Sequence, residues 1–411
     1  MQIYTHLLQA GILKSIGGIV LAVAILLVMI TVHEFGHYIV GRILGFKINE
    51  FSIGFGPAIF KKRSKKNGQL FALRVVPLGG YCAFDGEDEF ADEKQEEAQA
   101  EQEQPFDELQ NDGDVSALKE ENTEEVQEKA DEYPEPQGAR FNDQAPWKRI
   151  LVLLAGVTMN YILALLLIMA MFLCIGRPLY RVQVEKPTAD VAAASIETQA
   201  NGLQTGDVIL RIDGKRVYLI TDYFDALQGK KAGEEVPVLV LAGGEEVTRT
   251  LTLAVDADFA NLSDTNTLLD SMHIWGLFTV TEKQGFFPSL GNSVVYSFKI
   301  GGSLLRSLGE LLTGKLGLEA MGGPVTTIKV TSEVATSSMM SFLNIAAFIG
   351  VNLAVFNLLP VPALDGCKII FCLIEWIRKK PVNRKVEAII NIVGLFFLLG
   401  FAILIDVLQF F

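Results

Sequence analysis

The chain has 411 residues, of which 50% are hydrophobic and only 20% are charged, and its mean hydropathy of +0.33 excludes a purely soluble protein. The net charge of −13 is uneven, because residues 85–139 hold 22 Asp and Glu against three Lys and Arg, which leaves the rest of the chain at +6. The chain lacks the basic face that a nucleic-acid-binding protein needs, and its four cysteines are too scattered for a disulfide framework or a CxxC metal site (Cys82, Cys174, Cys367 and Cys372).

Four apolar stretches are long enough to cross a bilayer, which takes about 20 helical residues. They cover residues 15–32 with a continuation to 41, residues 150–176, a part of 334–364, and residues 388–405. A cleaved signal peptide is the alternative for the first stretch, but its apolar core is too long and no small-residue cleavage site follows it. We therefore predict an α-helical polytopic membrane protein with about four transmembrane helices.

The end of the first stretch carries an HExxH motif, formed by His33, Glu34 and His37. On a helix, residues i and i+4 share a face, so both imidazoles can reach one Zn²⁺, and Glu34 then stands where a carboxylate can take a proton from water. A single histidine here would be an ordinary polar residue at a helix end. Two histidines and a glutamate at membrane depth are costly unless they bind something.

The depth of the motif separates it from the sites of soluble zinc enzymes. His33 stands 18 positions after Ser15, which is about 27 Å of helix in a hydrocarbon core of about 30 Å. The motif is therefore expected inside the membrane, near one side.

Residues 47–84 alternate in a strand-like way with Gly and Pro between the runs, which predicts a small β-rich membrane-associated region. Its glycines at 54, 56, 79 and 80 mark either a close approach of the backbone to another group or ordinary turns. Residues 85–139 cannot bury enough apolar surface to fold, so we expect a disordered cytoplasmic insert that acts as a spacer or, alternatively, as an acidic docking tail.

A small α/β domain is predicted over residues 179–257, with strands at 181–185, 208–212, 236–241 and 247–255 and a helix at 221–228. The run GLQTGDVILRIDGKRV, Gly202–Val217, resembles the core of PDZ domains, which capture peptide segments by strand addition. An unrelated β-rich domain is the alternative. Residues 258–333 are predicted as a linker with an amphipathic helix at 283–320, which either lies on the outer membrane surface or packs on the soluble domain.

Two histidines leave a catalytic zinc one protein ligand short. Asp365 is the best candidate for the third, because it ends the third apolar stretch and because Pro360 and Pro362 break the helix before it. A helix cap or a solvated loop aspartate is the ordinary alternative for Asp365, and Cys367 is a weaker candidate ligand.

Basic residues flank the spans unevenly, and they predict the orientation of the chain. They cluster between the first two spans, as in the KKRSKK run at residues 61–66, and again between the last two at residues 368–385. Both of these loops should be cytoplasmic. The N-terminus, residues 177–333 and the C-terminus are then outside, and the active site lies near the cytoplasmic side.

The HEFGH motif, together with NLLPVPALDG at residues 357–366, resembles the site-2 protease family of intramembrane zinc metalloproteases. The single PDZ-like domain between spans two and three points to its bacterial RseP-type branch. Agreement extends to Gly54–Pro57, to Arg74–Tyr81 and to Gly322–Pro324. The sequence departs from the family where Gly156–Asn160 lacks a proline and where Cys367 follows the LDG motif.

The resemblance implies that His33, His37 and Asp365 hold Zn²⁺, that Glu34 is the catalytic base and that Asn357 engages substrate near the metal. It implies a multi-pass protein of the bacterial inner membrane that cleaves transmembrane segments of membrane proteins already trimmed outside, such as anti-sigma factors or signal-peptide remnants. The expected partners are these substrates, the lipid bilayer and peptide segments at the PDZ-like domain, with no nucleic acid.

Six regions follow from these predictions, and two other functions stay open as alternatives. The regions are 1–84 (first span and β-rich loop), 85–139 (insert), 140–178 (second span), 179–257 (PDZ-like domain), 258–333 (linker and amphipathic helix) and 334–411 (last two spans). The alternatives are a catalytically silent membrane adaptor and a metal transporter, although a transporter would need more polar residues along its spans.

Overall fold

The computed structural model describes residues 2–87, 133–182, 200–253, 256–257, 259, 276–315, 317–318 and 322–410. Its helices, in chain order, are α1 (Gln2–Ile43), α2 (Pro146–Cys174), α3 (Ile220–Leu227), α4 (Phe286–Leu312), α5 (Pro324–Ala335), α6 (Met339–Leu358), α7 (Asp365–Arg378) and α8 (Arg384–Phe410). The strands are β1 (Ile48–Arg63), β2 (Leu70–Phe84), β3 (Arg177–Val182), β4 (Ala200–Asn201), β5 (Val208–Ile212), β6 (Lys215–Arg216), β7 (Glu235–Ala242), β8 (Glu245–Leu253) and β9 (Leu277–Glu282).

Four of the described helices are long and apolar enough to span a membrane. The candidate spans are Ser15–Ile43, Pro146–Cys174, Met339–Leu358 and Arg384–Gln409. They coincide with the four predicted apolar stretches, so the predicted number of candidate spans is confirmed. As expected from the two prolines, α6 ends at Leu358 and the chain leaves the helix before Asp365.

The chain divides into two compact units, and the first comprises residues 1–163, 326–336 and 349–404. Strands β1 and β2 form an irregular two-stranded sheet in it. Residues 48–53 of β1 pair with residues 80–84 of β2, residues 50–53 also pair with residues 70–73, and residues 58–63 pair with residues 70–74. An apolar cluster joins this sheet to α1, α2 and α7 (Tyr38, Phe46, Ile48, Phe51, Cys82, Phe84, Phe141, Val152, Leu153 and Cys372). The predicted β-rich region is therefore packed beside the end of the HExxH helix.

The second unit comprises residues 164–325, 337–348 and 405–411 and contains the α/β domain. Its sheet has the order β4-β8-β7-β5-β3-β9, and β6 pairs with β5. Helix α3 supplies Tyr223, Phe224 and Leu227 to an apolar core with side chains from the sheet. Three predicted strands and the helix lie within a few residues of their predicted positions.

Two boundaries of the predicted α/β domain need correction. Strand β3 spans Arg177–Val182 instead of residues 181–185. Strand β9, which was assigned to the linker, pairs with β3 along all six of its residues, so the sheet extends beyond residue 257 to residue 282. Sequence patterns do not assign β9 to the domain, because it completes a sheet whose other strands lie about 24 residues or more away along the chain.

The amphipathic helix α4 packs against the α/β domain through charged side chains. Lys299 Nζ lies 2.6 Å from Asp222 Oδ1 on α3, and Arg306 pairs with Asp225 one helical turn further on. These contacts are ion pairs, and they leave both alternatives for the leucines of this helix as predictions. Large apolar side chains on α4 remain exposed, with Phe287 at 81% and Leu312 at 79%.

Two described helices, α5 and α7, were not predicted as separate elements. Most of the acidic insert, residues 88–132, lies outside the described residues, as do residues 183–199 of the α/β domain. The predicted disorder of the insert therefore stays a prediction.

Candidate metal centre

His33 and His37 lie one turn apart on α1, and both are buried, with 8% and 7% of their surface exposed. Their Nε2 atoms are 3.2 Å apart. The i, i+4 spacing predicted that both imidazoles would reach one point, and the structure brings them together there.

Asp365, the first residue of α7, closes the cluster from a distant part of the chain. Its Oδ2 atom lies 3.0 Å from His33 Nε2 and 3.4 Å from His37 Nε2. The same Oδ2 atom is buried and accepts no hydrogen bond of acceptable geometry. Nitrogen and oxygen donors bound to zinc at about 2.1 Å in a tetrahedral arrangement lie about 3.4 Å from one another. The donor set and its spacing therefore fit a zinc ion.

The remaining ring nitrogens of the two histidines are held by α2. His37 Nδ1 is 2.8 Å from the Val152 carbonyl oxygen, to which it donates, and its Nε2 lone pair is thereby left for the cluster. His33 Nδ1 is 3.4 Å from the Asn160 amide nitrogen, while Asn160 Oδ1 is buried without a partner. With this amide turned over, Asn160 Oδ1 accepts a hydrogen bond from the His33 Nδ1–H group.

Asn160 is a residue of the site, and sequence reasoning missed its contact with His33. The sequence pattern marks Asn160 only as part of the motif that lacks a proline. The available signal is an amide inside a largely apolar span, since such a group needs a polar partner there.

Glycines let α1 and α2 approach closely at the cluster. A Cβ at Gly156 would lie 2.4 Å from His37 Nε2 and 2.9 Å from His33 Cε1, and a Cβ at Gly36 would lie 2.4 Å from the Ala155 carbonyl oxygen. The two imidazoles thus occupy space that any larger residue at position 156 would fill.

Glu34 and Asn357 line a cavity of about 220 Å³ together with His33 and Asp365 of the cluster. Since a water occupies about 30 Å³ in the liquid, the cavity has room for several waters or for a segment of peptide. Gly80 of β2 borders it closely, because a Cβ there would lie 3.3 Å from Glu34 Cγ. Of the two alternatives for these glycines, a close approach of the backbone to another group therefore applies at Gly80.

Cys367 does not join the cluster. Within the part of the chain that the structure describes, the group with metal-ligand spacing consists of His33, His37 and Asp365. Cys367 is a buried free cysteine, and burial raises the pKa of its thiol. Its candidacy as a ligand has no support in this geometry.

Comparison with known proteins supports the same interpretation as the geometry, namely a zinc site. A sequence model of peptidase family M50 matches residues 21–401. The chain is 28% identical over 410 residues to the zinc metalloprotease RasP of Bacillus licheniformis, covering 89% of this chain and 92% of that protein. It is 28% identical over 404 residues to the regulator of sigma-W protease RasP of Bacillus subtilis, with the same coverage of 89% and 92%.

Proposed function

The chain belongs to peptidase family M50 and is a zinc metalloprotease of the membrane, and we propose that His33, His37 and Asp365 are its zinc ligands and Glu34 its catalytic base. One observation carries the proposal. Three donor atoms from two segments more than 300 residues apart lie within 4.8 Å of one another, and one of them is a buried carboxylate oxygen without a hydrogen bond. A carboxylate left in that state costs free energy unless a cation joins it.

The reaction is hydrolysis of a peptide bond within a transmembrane segment. Zinc, when bound, supplies Lewis acidity that makes water a stronger nucleophile at neutral pH. Glu34 lines the cavity beside the cluster, and its carboxylate accepts the proton that water loses as the oxygen attacks the carbonyl carbon. The same carboxyl group then returns the proton to the leaving amine. Asn357 lines this cavity too, and its amide N–H donates to the oxygen on which negative charge develops.

A substrate helix hides its carbonyl groups in its own hydrogen bonds, so it must unwind before it is cut. Residues 80–84 of β2 pair with residues 48–53 of β1 on one side, and Gly80 borders the cavity next to Glu34. The other side of this segment offers backbone groups with which an extended substrate can pair. This supports a role for β2 in holding the scissile segment.

The membrane orientation rests on the basic loops. Loops rich in Lys and Arg stay in the cytoplasm, which puts the metal centre near the cytoplasmic side and the α/β domain outside, in the inner membrane of a bacterium. A Lys380→Cys variant should react with an impermeant thiol reagent only in inverted vesicles, and a Lys215→Cys variant only in intact cells. Cys174 is the exposed native cysteine and is replaced by serine in both. The reverse labelling pattern contradicts the orientation.

The substrate class is the finer part of the proposal. The name of the Bacillus subtilis relative links that protein to sigma-W. By analogy, the substrates of this chain are anti-sigma factors or signal-peptide remnants already trimmed outside the membrane. The α/β domain is PDZ-like in its run Gly202–Val217. We infer that it admits only substrates that have lost bulky outer domains and that it binds peptide segments by strand addition.

The two alternative functions have less support. A silent adaptor would not need a complete set of ligands and base around one cavity. A transporter would need polar side chains along several spans, whereas each candidate span contains an 18-residue window with at most two charged residues.

Glu34→Gln tests the mechanism most directly. We expect cleavage of a model transmembrane substrate to be abolished while zinc content stays equal to that of wild type, because Glu34 is the base and not a ligand. Glu246→Gln, at an exposed position of β8, is the matched control and should keep full activity. Cleavage by Glu34→Gln at the wild-type rate contradicts the proposed role, and loss of zinc from this variant makes Glu34 a ligand.

A further inference from the structure

The turn between α6 and α7 determines where Asp365 lies. Within it, Ala363 has a φ of +72°, a left-handed conformation in which the Cβ of an L-residue crowds its own backbone. Such a conformation persists only where surrounding contacts hold it. Ala363 stands two residues before Asp365 and lines the same cavity as Glu34.

Helix α8 supplies the contacts that hold this turn. The side-chain oxygen of Asn391 accepts a hydrogen bond of 3.3 Å from the Ala363 backbone N–H. One turn further along α8, Gly394 lets Pro362 pack directly on the helix backbone, since a Cβ at position 394 would lie 2.2 Å from Pro362 Cβ. Two residues on one face of α8 therefore contact two consecutive residues of the turn.

The start of α7 has little freedom to compensate for a shift of the turn. A Cβ at Gly366 would lie 2.3 Å from the Leu359 carbonyl oxygen and 2.5 Å from that of Leu358. Asp365 is thus fixed between a close backbone contact on one side and the strained Ala363 on the other. A change in the Ala363 conformation would be carried to the carboxylate.

We propose that Asn391 is a positioning residue of the metal centre: by holding Ala363 in its left-handed conformation it keeps the Asp365 carboxylate against His33 and His37. The inference rests on the proposed zinc site. Asn391 itself does not contact the metal or the substrate and acts through the backbone of the turn. The Asn391 side chain lies on α8 and accepts the hydrogen bond from Ala363. The other side chains of this helix are mainly exposed and apolar, such as Ile392 at 52% and Phe396 at 68%.

The test measures zinc affinity by competition with a chelator, together with kcat and KM, on the full-length protein in detergent. Asn391→Ala should weaken zinc binding about tenfold, at the lower end of what loss of an outer partner of a metal site costs, and should lower kcat with little change in KM. Ile392→Ala, at the neighbouring exposed position, is the control and should leave both unchanged.

Two further variants separate positioning from general packing. Ala363→Gly combined with Asn391→Ala should recover most of the lost zinc affinity, because glycine adopts a left-handed conformation without a side-chain penalty. Asn391→Asp keeps an acceptor oxygen in the same place and should bind zinc within about twofold of wild type. Mere loss of packing at position 391 would not be repaired by a change at position 363.

Wild-type zinc affinity in Asn391→Ala overturns the inference, and so does failure of Ala363→Gly to restore affinity. If Asn391→Ala does not fold, the outcome is decided by Asn391→Asp, whose loss of zinc affinity would likewise overturn it. Asp365→Ala is measured in parallel. If that variant also binds zinc as wild type does, the proposed zinc site itself fails; if it loses zinc while Asn391→Ala does not, only the positioning role fails.

Discussion

Asp207 and Asp365 carry carboxylates whose surroundings differ sharply. Asp207, in the α/β domain, is 2% exposed and accepts hydrogen bonds from the Gln204 backbone N–H at 2.8 Å and from Arg249 at 3.2 Å. Asp365 faces two imidazole nitrogens, and its Oδ2 atom has no hydrogen bond. The first carboxylate stabilises its fold, whereas the Oδ2 atom of the second lies without a hydrogen bond at the proposed zinc site.

The same contrast extends to the surroundings of the two groups. The core of the α/β domain is formed by apolar side chains of its sheet and of α3. The metal centre gathers buried polar groups, among them His33, His37 and Asn160, inside a bundle of apolar helices. Buried polar groups with incomplete bonding lower stability, so the proposed zinc site is expected to lower the stability of the metal-free protein.

Asp365→Ala should have the largest effect of any change that probes this contrast. Zinc affinity should fall by a factor larger than about 100, which is the most that loss of an outer-shell partner costs. Cleavage should become undetectable. The metal-free protein should be at least as stable as wild-type protein without metal, because an unsatisfied carboxylate is removed. Zinc content and chelator-treated thermal unfolding measure the two effects. A strong destabilisation of the metal-free variant would make Asp365 structural.

Gly156→Ala should come next. The added methyl group would lie 2.4 Å from His37 Nε2, so one or both imidazoles must move, and zinc affinity should fall by about 10- to 100-fold. Gly400→Ala on α8, where a Cβ would meet nothing within 4 Å, is the matched control and should bind zinc normally. Unchanged zinc affinity in Gly156→Ala would show that the helices can separate there without disturbing the histidines.

Asp207→Ala should produce the opposite pattern. Its hydrogen bonds from Gln204 and Arg249 are lost, which should destabilise the α/β domain by about 2–3 kcal/mol and leave zinc content unchanged. Hydrogen exchange of the amides in β5 and β7 reports the domain separately from the membrane helices. Glu246→Ala, an exposed position on β8, serves as control. If zinc were lost together with domain stability, the two regions would be energetically coupled.

The smallest effect is expected from the acidic insert. Deleting residues 90–131 removes most of its charge but keeps Tyr133, which lies over Lys65, and Pro134, whose carbonyl group lies against Gly68. Zinc binding and cleavage should stay within a few fold of wild type, since closure entropy changes by only about 0.6 kcal/mol for each doubling of loop length. Loss of cleavage with zinc retained would give the insert a role in recruiting substrate.

Much of the architecture could be predicted because its signals are local. Four apolar stretches of the right length and the i, i+4 spacing of His33 and His37 need only the composition of the chain and the geometry of a helix. The strand Val208–Ile212 has its predicted bounds because turn residues enclose an apolar run. Asp365 could be proposed as the third ligand because few polar residues lie at the right membrane depth.

The contacts between distant segments were decided only by the tertiary structure. Sequence spacing did not reveal that Asn160 faces His33, that Gly156 makes room for both imidazoles, that β9 completes the sheet beside β3, or that Asn391 holds the turn before Asp365. Each of these depends on which helix or strand faces which after packing. A local periodicity fixes the face of an element that is buried, but the identity of its neighbour is set by the packing of the whole chain, where close approach and hydrogen-bond satisfaction are met together.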